Sequence, residues 1–239
     1  ASNIEYQIYQ DGTNVAQTTS TSYSVTGLSN GTTYSFTVSA KNTSTGVEGA
    51  QSGAKTVTPR YQGPKWYVAA SGGKSLSDTT TNYDLGSSSS PINHLSNGIE
   101  IAAAGDTIVM MKGTHTGSNN RGINEDGNKS FVIMGDPDYS ADQTIMDAGG
   151  RDRHFTFDNS EDTTFQIIGL TLYNGKTTTR GGGSIKLESA AVKLKNVIFK
   201  ENYSTGGDWS SSGAIYIANN GKTIIDGCTF DGNYIYGEE

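Results

Sequence analysis

Ile167-Ile-Gly-Leu-Thr-Leu-Tyr-Asn174, Leu194-Lys-Asn-Val-Ile-Phe-Lys-Glu-Asn202 and Ile225-Asp-Gly-Cys-Thr-Phe-Asp-Gly-Asn233 are three versions of one phrase. In each, apolar residues alternate with polar ones and the run ends on asparagine. The three asparagines stand 28 and 31 residues apart. Between them recurs a second phrase, Gly182-Gly-Ser-Ile-Lys-Leu187 and Ser212-Gly-Ala-Ile-Tyr-Ile217. A unit of this length that repeats is the mark of a solenoid. Its alternation has period two rather than the helical period, so the solenoid is built of strands.

Stacked rungs of such a solenoid lie about 4.8 Å apart, and equivalent side chains form ladders. The alignment predicts Phe199 over Phe230 and Val197 over Cys228 in the core. It predicts an amide ladder of Asn202 over Asn233 at an inner turn, with Asn174 as its offset third member. Successive coils are read from Thr107 to Gly127, through Phe131–Met134, Thr144–Asp147 and Phe155–Phe157, over 165–187 and 192–217, and from Thr223 onward.

Apolar residues make up only 33% of the 239 residues, while glycine alone contributes 31. Set against the clear alternation, this composition reads as an all-β chain with many tight turns rather than a disordered one. The net charge is −7 and there is no basic run, which argues against nucleic acid and anionic membranes as partners. No apolar run reaches the roughly 20 residues needed to span a bilayer, so membrane insertion of this segment is not expected. Cys228, the single cysteine, falls on an apolar-alternating position and reads as a small buried hydrophobe.

Upstream, Ile4, Tyr6 and Ile8 alternate with polar positions, and Tyr9 is expected to hold its hydroxyl in water. Asp11-Gly12 supplies a turn, and Leu28-Ser-Asn-Gly-Thr-Thr-Tyr34 leads into Phe36, Val38 and Ala40. This stretch, closing with Thr56-Val-Thr-Pro59, resembles the later strands of a fibronectin type III domain, with Tyr34 at its tyrosine corner. Residues 1–59 are therefore read as a partial domain whose first strands are missing, implying that the numbering begins inside a longer polypeptide. Residues 60–65 form a stiff linker.

From Trp66 the chain resembles the start of a right-handed parallel β-helix of the pectate-lyase-like, polymorphic-surface-protein type. The resemblance rests on Trp66-Tyr-Val-Ala-Ala-Ser-Gly72, on 91–104, on Gly105-Asp-Thr-Ile-Val109 and on Lys112-Gly-Thr114. It covers 66–239, with a truncated C-terminal end. Within it, 91–103 is predicted as an N-terminal capping helix: Ser90 as N-cap, Pro91 in the first turn, Gly105 at the exit, Gly98 as a weak point.

The resemblance leaves two functional readings. One is a segment of a large secreted or cell-surface bacterial protein with a structural, adhesive or glycan-binding role, its partners polysaccharide or other surface proteins. On this reading Tyr203, Trp209 and Tyr234 are the candidate ligand-binding residues, as aromatics on the outer wall of the solenoid. The other is a secreted lyase or hydrolase of acidic polysaccharide, which needs a cation and a base. Asp136, Asp138, Asp142, Asp158, Glu161 and Asp162 are the acids available to hold Ca²⁺, and Lys186, Lys193 and Lys195 are candidate bases, with Lys186 and Glu188 equally readable as an outward pair. No cofactor motif is present, the sequence alone brings no acid cluster and base to one face, and no catalytic residue is assigned. His94, His115 and His154 lack metal-ligand spacing.

Overall fold

A computed structural model describes residues 3–80, 82–125, 129–158, 164–206 and 211–236. The chain divides into two compact units, Ala1–Tyr61 with Thr80–Asp84, and Gln62–Thr79 with Leu85–Glu239.

The first unit holds a four-stranded antiparallel sheet. Ile4–Gln10 lies between Thr13–Thr18 and Tyr34–Asn42, and Lys55–Val57 pairs with the far edge of the last. Asp11 and Gly12 both take positive φ, the backbone that a two-residue hairpin turn requires. The Tyr34 hydroxyl accepts the N–H of Ser29 at 3.0 Å, beside Leu28. On the exposed face of the sheet the Tyr9 hydroxyl donates to Glu48 at 2.5 Å. On the opposite face Ile8, Phe36, Val38 and Val57 line an open apolar groove of about 600 Å³.

The second unit is a parallel β-helix of about four turns. Its first wall stacks Lys65–Val68, Thr107–Met110, Val132–Gly135, Thr164–Ile168, Ala191–Lys195 and Lys222–Asp226. The second stacks Gly113–His115, Thr144–Asp147, Thr171–Tyr173, Ile198–Lys200 and Thr229–Asp231. The third stacks Ile123–Glu125, Phe155–Asp158, Ile185–Glu188 and Ile215–Ala218. Alternate side chains point inward and fill the core: Phe155, Phe157, Phe165, Ile167, Leu172, Leu187, Leu194 and Phe199 are fully buried.

The repeated phrase has a physical basis. Gly169, Asn196 and Gly227 take left-handed φ between the first and second walls; five residues on, Asn174, Glu201 and Gly232 do the same after the second. Glycine and asparagine adopt this conformation at least cost. Each coil thus turns, runs one short strand with two inward side chains, and turns again.

The helix is shorter than the sequence predicts and is capped differently. It spans Leu95–Ile101, so neither Ser90 nor Pro91 belongs to its first turn. Its N-terminus is satisfied from 25 residues away, where Asn120 Oδ1 accepts the N–H of Leu95 at 2.8 Å. Its C-terminal carbonyls are satisfied by Lys129, whose ammonium donates to Ile99, Glu100 and Ala102 at 3.1–3.3 Å. Gly98 is more than a weak point. A Cβ there would come within 3.2 Å of Val68 and Ile108, so glycine lets the helix lie close on the first wall.

Candidate functional site

The second and third walls are joined by a corner built on asparagine. Asn202 is fully buried and every polar atom of its side chain is used. Its Oδ1 accepts the N–H of Gly175 at 2.7 Å, and its Nδ2 donates to Leu172 O and to Asn233 Oδ1, both at 2.9 Å. Asn233 repeats the pattern one coil on, accepting the Asn202 N–H at 3.0 Å and donating to Phe199 O at 2.8 Å. Asn174 is not part of this ladder. The equivalent station is Gly175, and Asn174 occupies the left-handed turn residue before it. A Cβ at Gly175 would meet Gly183 O at 2.4 Å and Asn202 Oδ1 at 2.8 Å, so no asparagine fits there. Phe199 and Phe230 stack with centroids 4.9 Å apart and planes 7° from parallel, but only Phe199 is in the core: Phe230, on the edge strand of the wall, is 50% exposed. Cys228 is half-buried rather than buried, its sulfur 3.5 Å from Leu194 O.

Immediately outside the ladder the next column faces outward: Lys176, Tyr203 and Tyr234 in three successive coils. Tyr203 and Tyr234 stack at 5.2 Å and 7°. At that separation parallel rings are offset, and part of each face stays uncovered. Tyr236 stands edge-on to both, 5.1 Å from Tyr234 and 6.2 Å from Tyr203. Lys176 Nζ lies 5.7 Å from the centre of the Tyr203 ring. Tyr203 is half-buried, whereas Tyr234 and Tyr236 are 41% and 59% exposed. The sequence signal for Tyr236 was its spacing of two from Tyr234. Lys176 carried no signal until the coil register was known. Trp209 lies outside the described residues, as do Glu161 and Asp162.

The remaining candidates disperse. Asp136 and Asp142 bond locally, to the N–H groups of Lys112 and Asp138 and to the Ser140 hydroxyl respectively. Lys193 and Lys195 point outward from the first wall. No cluster of three or more metal-ligating side chains occurs among the described residues. On the third wall, however, the coil register places Asp158 beside Glu188, and Lys186 is ion-paired to Glu188 at 3.1 Å. Tyr216 lies over Lys186, and its hydroxyl accepts from Arg180 Nε at 2.6 Å.

Two of the three histidines are buried and bonded within the coils. His154 is fully buried, with Nδ1 3.0 Å from Ser184 Oγ and Nε2 2.9 Å from Met146 O. Burial pushes its imidazole down to about 4. His115 is also buried, Nε2 2.8 Å from Met111 O, and burial likewise lowers it. His94 stands at the N-cap position of the helix and makes no side-chain cap hydrogen bond there.

No protein-family model matches the chain, and no solved structure matches it. The chain is 28% identical over 206 residues to chitinase D of Niallia circulans and 27% identical over 206 residues to a chitinase of Paenibacillus xylanexedens. Each match takes in 80% of this chain, which spans only 37% of the length of either chitinase. An exoglucanase A of Cellulomonas fimi is 38% identical over 81 residues, 34% of this chain and 8% of that protein.

Proposed function

We propose that this chain is a glycan-binding segment of an extracellular carbohydrate-active or surface protein, and that the Tyr203–Tyr234–Tyr236 corner is its contact surface. The first unit acts as a fibronectin type III-related spacer, and the second is a right-handed β-helix whose Leu95–Ile101 helix covers its first coil. The observation that carries the reading is the offset aromatic stack. Tyr203 is braced from below by Lys176 and Tyr234 remains 41% exposed, so the rings are held rigid while keeping apolar surface for the C–H face of a sugar. The similarity to two chitinases over most of the chain supports a carbohydrate ligand. Each ring contributes on the order of 1 kcal/mol, so single contacts are weak and function depends on many copies.

The test is retention on insoluble chitin, cellulose and xylan, comparing the wild type with the Tyr203→Ala/Tyr234→Ala variant. Retention of the wild type that the double variant loses, with the far-ultraviolet circular dichroism intact, is the expected result. Equal retention of both proteins reduces the tyrosines to packing residues and removes the reading.

A second reading, a lyase of acidic polysaccharide, is favoured by one observation: Asp158, Glu188 and Lys186 share neighbouring coils of one wall. Lys186 is engaged by Glu188 rather than free to act as a base. Release of unsaturated uronate from polygalacturonate or alginate with Ca²⁺, abolished by Lys186→Ala, would promote this reading over the first.

A further inference from the structure

The outward face of the third wall carries a polar patch separate from the tyrosine corner. Period-two alternation turns Thr156 and Asp158, then Lys186 and Glu188, then Tyr216 away from the core in three successive coils. Lys186 lies under Tyr216, and Asp158 under Glu188. The Lys186 and Glu188 side chains are only 23% and 21% exposed, so their ion pair is partly sheltered and fixed in place. Arg180 reaches the same patch, with Nε on the Tyr216 hydroxyl and its guanidinium 5.3 Å from the centre of that ring.

We propose that this patch is a subsite for a neutral, hydroxyl-rich sugar ring. The proposal rests on the glycan-binding reading and adds a second contact point and a ligand class. A sugar presents adjacent hydroxyls that each donate and accept, together with a C–H face. The patch offers donors (Lys186, Arg180) beside acceptors (Glu188, Asp158), next to the ring of Tyr216. Among the described residues, the four side chains named carry two positive and two negative charges, and Arg153 lies within electrostatic range of Glu188, in a chain whose net charge is −7. A carboxylate-bearing sugar would gain from the cations but meet Asp158 and Glu188 at close range, where like charges repel. A neutral sugar meets no such opposition, and it hydrogen-bonds to charged groups that are already held in position.

The experiment is calorimetric titration of the whole chain with cellohexaose, N-acetylchitohexaose and hexagalacturonate. It uses the wild type, Lys186→Met, Lys186→Arg, Tyr216→Ala and the Tyr203→Ala/Tyr234→Ala variant, each checked for fold by circular dichroism. One of the neutral hexasaccharides is expected to bind, with affinity falling about tenfold in Lys186→Met and in Tyr216→Ala. Lys186→Arg, which keeps the ion pair, retains most of it. Wild-type affinity in Lys186→Met and Tyr216→Ala overturns the proposal. So does tighter binding of hexagalacturonate, which assigns the patch to acidic glycan. A loss confined to the corner double variant leaves the glycan-binding reading standing and removes this subsite; absence of binding to all three probes removes both.

Discussion

Asn202 and Asn233 are joined amide to amide, Nδ2 to Oδ1 at 2.9 Å, while Asn233 also accepts the backbone N–H of Asn202. The side chain of one coil thereby serves as the turn partner of the coil before it. Asn202 is the more critical of the two because it is fully buried and holds Gly175 N–H and Leu172 O, whereas Asn233 is half-buried. Replacing it by leucine strands buried polar groups that cost about 1–3 kcal/mol each. Asn202→Leu is expected to lower the unfolding free energy by about 2–4 kcal/mol in urea, and Asn233→Leu by about 1–3 kcal/mol. Equal, negligible losses would show that the corner is held by other contacts.

The one-residue offset at the first coil has its own signature. Asn174 pays for a left-handed backbone, at φ 54°, that glycine adopts freely. Asn174→Gly should therefore be close to neutral, within about 1 kcal/mol. Gly175→Ala forces a methyl into Gly183 O and should cost several times as much. The reverse order, measured by thermal unfolding, would return Asn174 to the ladder.

These two positions also show where sequence reading stops. Alternation and the recurring phrase reveal the solenoid, because a half-buried strand must alternate whatever it packs against. The same phrase misplaces Asn174, since asparagine suits both a left-handed turn and an amide ladder and the two stations are adjacent. Tyr203 and Tyr234 are visible as repeats of each other. Arg180 and Tyr216 are not, because they sit 36 residues apart and only the stacking of unequal loops joins them. Asp158 and Glu188 become neighbours for the same reason.

Acid should weaken the fold through His154. Its imidazole is neutral in the folded chain down to about 4, while an unfolded histidine binds its proton near 6.5. Between those values the unfolded chain binds more protons, so stability falls as pH drops through the window and levels off below it. The full difference is worth about 3 kcal/mol. Asp147 and Asp152 act in the opposite direction, but burial outweighs them. Urea unfolding at pH 7 and pH 4.5 should show this loss in the wild type and a smaller one in His154→Gln. An identical pH dependence in both proteins would exclude His154 as the cause.

The helix is held at both ends by residues from elsewhere in the chain. At seven residues, Leu95–Ile101 is too short to persist on propensity alone. Asn120 supplies the missing acceptor at its start and Lys129 the missing donor at its end. A lost cap acceptor costs about 1 kcal/mol, and carbonyls deprived of a charged donor cost about 1–3 kcal/mol. Lys129→Met keeps the aliphatic stem and removes only the ammonium, so packing is spared. Hydrogen exchange should accelerate across Leu95–Ala102 in Lys129→Met and in Asn120→Ala, and both variants should leave the Asn202 corner protected. Wild-type protection of the helix in Lys129→Met would mean that its packing on Val68 and Ile108, through Gly98, is sufficient without the cap.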